Sequence, residues 1–333
     1  MPPSIESLDL PRFKPRFPWW GADLQTLAVL LNAPAGELRP HTSERVFFPM
    51  DDRSGDSLLG MIDTPQNPVE GRPLAVLIHG LTGSETSFYM LNAARYLLDH
   101  GYHVLRLNLR GAGPSRAFCR EHYFVGRTGD FRRALALLPE KLTANGIAAV
   151  GFSLGGAMLL KFLGEDGRFS CLRAAATVCA PIDLMRNCRH MMKPRNTLYH
   201  AYLPADLKRE ATGEGAALTQ DERDTVQRAN TLWDYDERFI AACHGFDGIE
   251  DYYSICSPMG YLPEIRVPTL MLAAGDDPWV PAEFYREFDW TTNPALLPLL
   301  PTMGGHVGFH GEGKQPWSDL AIGRFFEKVV SRS

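Results

Sequence analysis

Short, continuously apolar runs recur along this chain, and most are followed by residues with helical spacing. Pro73–His79 is such a run and ends at Gly80; Ser87–His100 then places Phe88, Leu91, Ala94, Leu97 and Leu98 on one helical face and stops at Gly101. The rhythm repeats with a strand at His103–Leu109, a helix at Asp130–Leu142, a strand at Ile147–Phe152, a helix at Gly155–Leu163 and a strand at Leu172–Val178. Further on, Pro268–Ala274 and Ala295–Leu300 read as strands and Trp317–Val330 as the last helix. Strands that are apolar on both faces and alternate with helices predict a mostly parallel sheet covered on both sides. Two more β-like runs, Glu44–Met50 and Ser57–Asp63, precede this pattern. The chain, 1–333, is expected to form a single α/β domain.

The alternation breaks between Asp183 and Tyr261, where the sequence turns charged and helix-biased. An insertion that leaves the sheet and returns to it predicts a helical cap, 183–261, over the strand C-termini, the edge at which open α/β sheets bind ligands. Its apolar residues Leu232, Trp233, Phe239, Ile240 and Phe246 suit either a substrate chain or packing against the sheet. Prolines and aromatics dominate the first forty residues, which are expected to wrap over the main body.

Composition excludes several classes. A net charge of −5 offers no concentrated basic footprint, so nucleic acid is not an expected partner. The six cysteines include no CxxC pair and no zinc-ligand spacing, so they are expected to be reduced thiols in a cytoplasmic protein. The N-terminal residues lack the apolar core of a signal peptide, and runs such as Leu27–Leu31 are far below the roughly 20 residues that span a bilayer.

Gly151-Phe152-Ser153-Leu154-Gly155-Gly156 lies between a strand and a helix. That context turns a common five-residue pattern, Gly-x-Ser-x-Gly, into an expected strained elbow carrying an exposed serine nucleophile. A serine hydroxyl needs a base, and Gly304-Gly305-His306-Val307-Gly308, after the last strand, can swing an imidazole toward it. His310 is expected at the surface, and His190, His200 and His244 lie in the insertion. The carboxylate that orients His306 is Asp276 or Asp277, with Asp277 favoured because it precedes Pro278-Trp279-Val280-Pro281. Asp183 is an outside candidate whose alternative role is a helix N-cap. Two amides are expected to form an oxyanion hole, those of Leu154, after the serine, and Leu81, in the glycine-rich turn after His79-Gly80. His79 and Arg110 are expected to brace loops.

Together these residues resemble an α/β-hydrolase. The finer pattern is similar to the YheT-like branch, to which animal ABHD-type lipid hydrolases and yeast ester-forming acyltransferases are related. It is carried by Leu24-Gln25-Thr26, by His79 to Ser84, by Asn108-Leu109-Arg110-Gly111 and by Gly126 to Asp130. Asp251-Tyr252-Tyr253, Asp276-Asp277-Pro278 and Gly304 to Phe309 complete it. Asp23 stands where the family usually has a His before Leu-Gln-Thr. The resemblance implies ester hydrolysis or acyl transfer through Ser153, Asp277 and His306, with a small-molecule acyl ester as partner and no cofactor or metal. A non-catalytic lipid-binding scaffold is the rival expectation. The membrane location of the animal relatives is not expected.

Overall fold

The computed structural model describes residues 3–31, 38–166 and 171–331. A helix α1 (Ala22–Leu31) precedes the antiparallel strands β1 (Thr42–Pro49) and β2 (Ser57–Thr64). Then follow β3 (Leu74–Ile78), α2 (Phe88–Asp99), β4 (Val104–Leu107), α3 (Thr128–Ala136), α4 (Glu140–Thr143), β5 (Ile147–Phe152), α5 (Leu154–Asp166) and β6 (Leu172–Val178). The charged stretch holds α6 (Leu184–Met191), α7 (Thr197–Ala211), α8 (Gln220–Arg228), α9 (Leu232–Tyr235) and α10 (Ile249–Cys256), with a π-helical turn at Asp236–Ala241. The chain closes with β7 (Thr269–Leu272), α11 (Glu283–Glu287), β8 (Leu296–Leu299) and α12 (Trp317–Val330).

The eight strands form one sheet in the order β1-β2-β4-β3-β5-β6-β7-β8. Only the β1–β2 and β2–β4 pairs are antiparallel. Every residue of β3, β4, β5 and β7 is buried, as strands covered on both faces require. Two apolar clusters sandwich the sheet, one containing α3 and α5 residues such as Phe131 and Phe162, the other containing α2 and α12 residues such as Leu97 and Phe325.

One expectation needs correction, and another gains detail. The helix foreseen over Asp130–Leu142 is two helices, broken where Pro139 lacks an amide proton to continue the ladder. The N-terminal segment contains a regular helix, α1, whose Gln25, Thr26 and Ala28 are buried against the body. No helix among the described residues is long and apolar enough to cross a membrane.

Candidate active site

Central strand β5 runs directly into Ser153, whose φ of 49° lies in the left-handed region. The N–H of Ser153 is held by the Val178 carbonyl of β6 at 2.8 Å, and α5 begins at the next residue. Such strain persists only where the surroundings over-determine it. Gly155 shows the constraint: a Cβ there would lie 2.3 Å from the His79 carbonyl oxygen and 2.6 Å from that of Ile78, so only glycine lets α5 approach β3.

His306 and Asp277 meet Ser153 at the same sheet edge. His306 Nε2 is 2.9 Å from Ser153 Oγ, and Nδ1 is 2.9 Å from Asp277 Oδ2. A carboxylate only accepts, so Nδ1 carries the proton and the Nε2 lone pair faces the serine hydroxyl. Asp277 is itself fixed, its Oδ1 accepting the amides of Trp279 at 2.8 Å and Val280 at 3.0 Å. Trp279 stacks on the His306 ring at 4.5 Å, and the His306 amide donates to Thr26 Oγ1 at 2.9 Å. The preceding Gly305 has a φ of +59°, and a Cβ there would fall 2.6 Å from the Ala22 carbonyl, so α1 and the histidine loop touch through backbone.

The other two carboxylates take different positions. Asp276 accepts the Gly305 amide at 2.9 Å and braces the loop that presents His306. Asp183 caps α6, accepting the Arg186 amide at 3.0 Å, and takes no part in the cluster.

The Gly80 amide donates to Tyr89 Oη at 2.9 Å and that of Thr82 to Tyr123 Oη at 2.8 Å. No hydrogen bond among the described residues takes up the Leu81 amide between them. Leu81 and Leu154 both line the cavity beside Ser153. His79 is fully buried: Nδ1 donates to the Gly80 carbonyl at 2.7 Å and Nε2 accepts the Leu109 amide at 3.0 Å. Burial pushes its pKa down to about 4, so it is a neutral brace of this turn. Arg110 ties loops together through Asp130, Asp56 and Asp52.

The ligand atoms of Cys179, Asp277 and His306 lie within 4.8 Å of one another, spacing that a metal ion could use. Their hydrogen bonds commit them otherwise. His306 faces Asp277 and Ser153, and the Cys179 sulfur accepts the Val307 amide at 3.5 Å. Burial first, and then the neighbouring Asp277 charge, push the Cys179 thiol well up, opposing the thiolate a metal would need. All six cysteines are free.

Ser153 and His306 open into a partly enclosed cavity that is continuous with solvent. One wall is apolar, with Leu184, Met191, Leu203, Leu207 and Ile240 supplied by the helical stretch. Among the aliphatic and aromatic residues singled out in that stretch, Leu232 and Ile240 reach the cavity, whereas Trp233, Phe239 and Phe246 do not line it. Phe239 packs edge-on against His122 at 4.9 Å, and Phe246 packs on Phe124 and Tyr252. Two carboxyl groups also face this space: Glu210, bound by Tyr123 Oη at 2.8 Å, and Asp236, bound by Tyr253 Oη at 2.5 Å. Burial raises each to about 7. Sequence reasoning missed both, since nothing in a charged helical stretch tells an inward acid from its solvated neighbours.

His310 is the clearest departure from expectation. It is only 3% exposed, lies between Trp19 and Phe88, and its amide donates to Gln25 Oε1 at 2.7 Å. Gln25 and Thr26 thus pin the histidine loop from α1, a role invisible in their local sequence. Asp23 pairs with Arg195 at 2.8 Å and accepts from Tyr199 Oη at 2.8 Å, joining α1 to α7.

The alpha/beta hydrolase fold family matches residues 73–312. Human phospholipase ABHD3 is 28% identical over 261 residues, covering 78% of this chain and 64% of that protein. The medium-chain fatty acid ethyl ester synthase/esterase 2 of Saccharomyces cerevisiae is 29% identical over 282 residues, covering 77% of this chain and 62% of its own. The match therefore spans a little under two thirds of the length of either relative. YheT of Escherichia coli is 31% identical over 254 residues, covering 74% of both chains.

Proposed function

The chain belongs to the alpha/beta hydrolase fold family, in the branch that includes YheT, and from that premise we propose that it is a serine hydrolase of carboxylic esters. One observation carries this reading: the unbroken relay from Asp277 through His306 to Ser153 Oγ, each link 2.9 Å long, at the mouth of a largely apolar cavity.

In the proposed cycle Ser153 Oγ attacks the ester carbonyl carbon while its proton passes to His306 Nε2. Asp277 holds Nδ1–H and stabilises the imidazolium. The amides of Leu81 and Leu154 receive the negative oxygen of the tetrahedral intermediate. Collapse breaks the bond to the leaving alcohol, which takes the proton from His306. Water then repeats the sequence on the acyl-enzyme: its proton goes to His306, its oxygen to the carbonyl carbon, and Ser153 departs with the proton as the acid is released. The segment 183–261 serves as a cap of the one domain, walling the acyl chain off from solvent.

A second reading shares every residue. The yeast relative is named as both synthase and esterase; in this reading an alcohol replaces water as acceptor and yields a new ester. Incubating the protein with p-nitrophenyl esters of rising chain length, with and without added alcohol, tests both. Release of p-nitrophenol with free acid supports hydrolysis, and accumulation of the alcohol's ester supports transfer. Failure of a fluorophosphonate to label Ser153, with no turnover of any ester, overturns both.

A further inference from the structure

Behind Ser153 the cavity has a chemical asymmetry that a plain hydrocarbon chain does not explain. Asp236 and Glu210 are enclosed by protein, yet each keeps accessible surface, and both line this cavity. A tyrosine hydroxyl bonds one oxygen of each: Tyr253 holds Asp236 Oδ2 and Tyr123 holds Glu210 Oε2. No hydrogen bond among the described residues reaches the other oxygen of either group. Asn187 of α6 lines the same cavity, and its Oδ1 is buried without a partner. These three groups come from α6, α7 and the π-helical turn, and all three present unclaimed acceptors. For Asn187 Oδ1, burial without a donor costs free energy that a bound donor recovers, and the free oxygens of the two acids stand open to the same donor.

We propose that the chain lodged in this cavity carries a hydroxyl group whose one proton is donated to Asp236, with Asn187 and Glu210 as the cavity's other open acceptors, so that the protein acts on esters of hydroxylated acyl chains. The inference rests on the proposed reading of Ser153 as the esterase nucleophile. A hydroxyl suits the site for two reasons. The cavity that Ser153 shares with the acids is otherwise lined largely by apolar side chains, among them Leu154, Leu184, Leu203 and Leu207, which suit a hydrocarbon chain. Charge also favours a neutral donor. Among the described residues, the titratable groups around the acids are Tyr89, Tyr123, Tyr235, Tyr252, Tyr253, His122, Cys188 and Arg116. Arg116 is the cation among them; it acts on Glu210, and no cation among the described residues offsets a charge on Asp236. Burial raises both acids to about 7, so near neutral pH each is partly protonated and able to accept and to donate.

The test compares kcat/KM for matched pairs of p-nitrophenyl esters, one with an unsubstituted chain and one with a hydroxyl moved carbon by carbon along it. At one position the hydroxylated ester is expected to exceed its plain partner by about tenfold, the scale of one satisfied buried hydrogen bond. Asp236→Leu should collapse that ratio to below one. Asp236→Asn, which keeps a polar isostere beside Tyr253 and guards against a folding failure, should retain most of it. Preference for the plain chain at every position, in protein that a fluorophosphonate labels at Ser153, overturns the hydroxyl assignment and leaves the esterase reading standing. Loss of the ratio in Asp236→Asn together with preference for a chain ending in an ammonium group would assign the site to a cation and overturn it equally. Absence of labelling and of all turnover defeats the esterase reading instead.

Discussion

The sheet-edge loops and the helical stretch 183–261 both border the same cavity, but they hold their polar groups differently. In the loops the groups that hold the histidine are paired, although the Leu81 amide and Trp279 Nε1 are not: Asp277 has two amides and a histidine, Asp276 has the Gly305 amide, and the His306 amide has Thr26. In the helical stretch Asn187 Oδ1 has none, and Asp236 and Glu210 each have one. Full satisfaction fixes geometry, which acid–base chemistry needs to within fractions of an ångström. Partial satisfaction leaves room for a ligand to complete the set. On the proposed reading one region reacts and the other selects, and substitutions should separate the two.

The sharpest break falls on Ser153. Ser153→Ala is expected to lower kcat on every ester by about 10³–10⁶-fold while the fold persists, because only binding and the amides remain. Steady-state turnover with circular dichroism checks it; near-normal turnover on purified protein removes the loop region's catalytic role. Asp277→Asn comes next. Wrong-tautomer histidine costs roughly 10⁴-fold in the serine protease template. Asp276→Asn, one residue away but bonded to the Gly305 amide, should cost far less, about tenfold through a loosened loop. Equal losses in the two variants would mean that the loop's rigidity, and not the Asp277–His306 bond, is what the pair provides.

The two regions also differed in how far they could be read in advance. Parallel strands, elbow and histidine loop were legible because their signals are local: an apolar run, a glycine that a 2.3 Å contact forbids replacing, a serine between strand and helix. The role of Asp183 as a cap and of His79 as a brace could be foreseen for the same reason. His310 could not. Its flanking glycines suggested exposure, whereas Trp19 and Gln25, far away in the chain, bury it. Pro139 was a local signal that the helical periodicity around it obscured. Which acids of the helical stretch face inward depends on how five helices pack, and packing leaves no trace in the spacing of charged residues.

The pH dependence of the stability difference between the wild type and Asp236→Asn probes the helical stretch. Burial raises the Asp236 carboxyl from 3.8 to about 7, so between those values the folded state binds more protons than the unfolded one. Its contribution to stability is full below the ordinary carboxylate pKa, declines as pH rises through this window, and is lost above about 7. Asp236→Asn removes that dependence. The variant should therefore gain on the wild type as pH rises, by an amount on the order of 1–3 kcal/mol across the window. Urea unfolding at a series of pH values measures the difference, and a flat difference would show the carboxyl already ionised in the folded protein.

The smallest effect separates residues within the helical stretch. Ile240 lines the cavity, whereas Phe246 lies on Phe124 and Tyr252, outside it. Removing methylenes from a cavity wall changes the fit of long chains more than short ones, by a few-fold to about tenfold in kcat/KM. Ile240→Ala should therefore flatten or shift the chain-length profile while turnover of the shortest ester changes little. Phe246→Ala should leave the profile's shape intact and lower stability by about 1–3 kcal/mol, less than a fully buried phenylalanine because Phe246 is half-buried. Thermal melts beside the ester panel distinguish the two. If Phe246→Ala reshapes the profile and Ile240→Ala only lowers the melting temperature, the wall that meets the acyl chain lies on the Phe124 side, and the selecting surface is other than the one lined by Ile240.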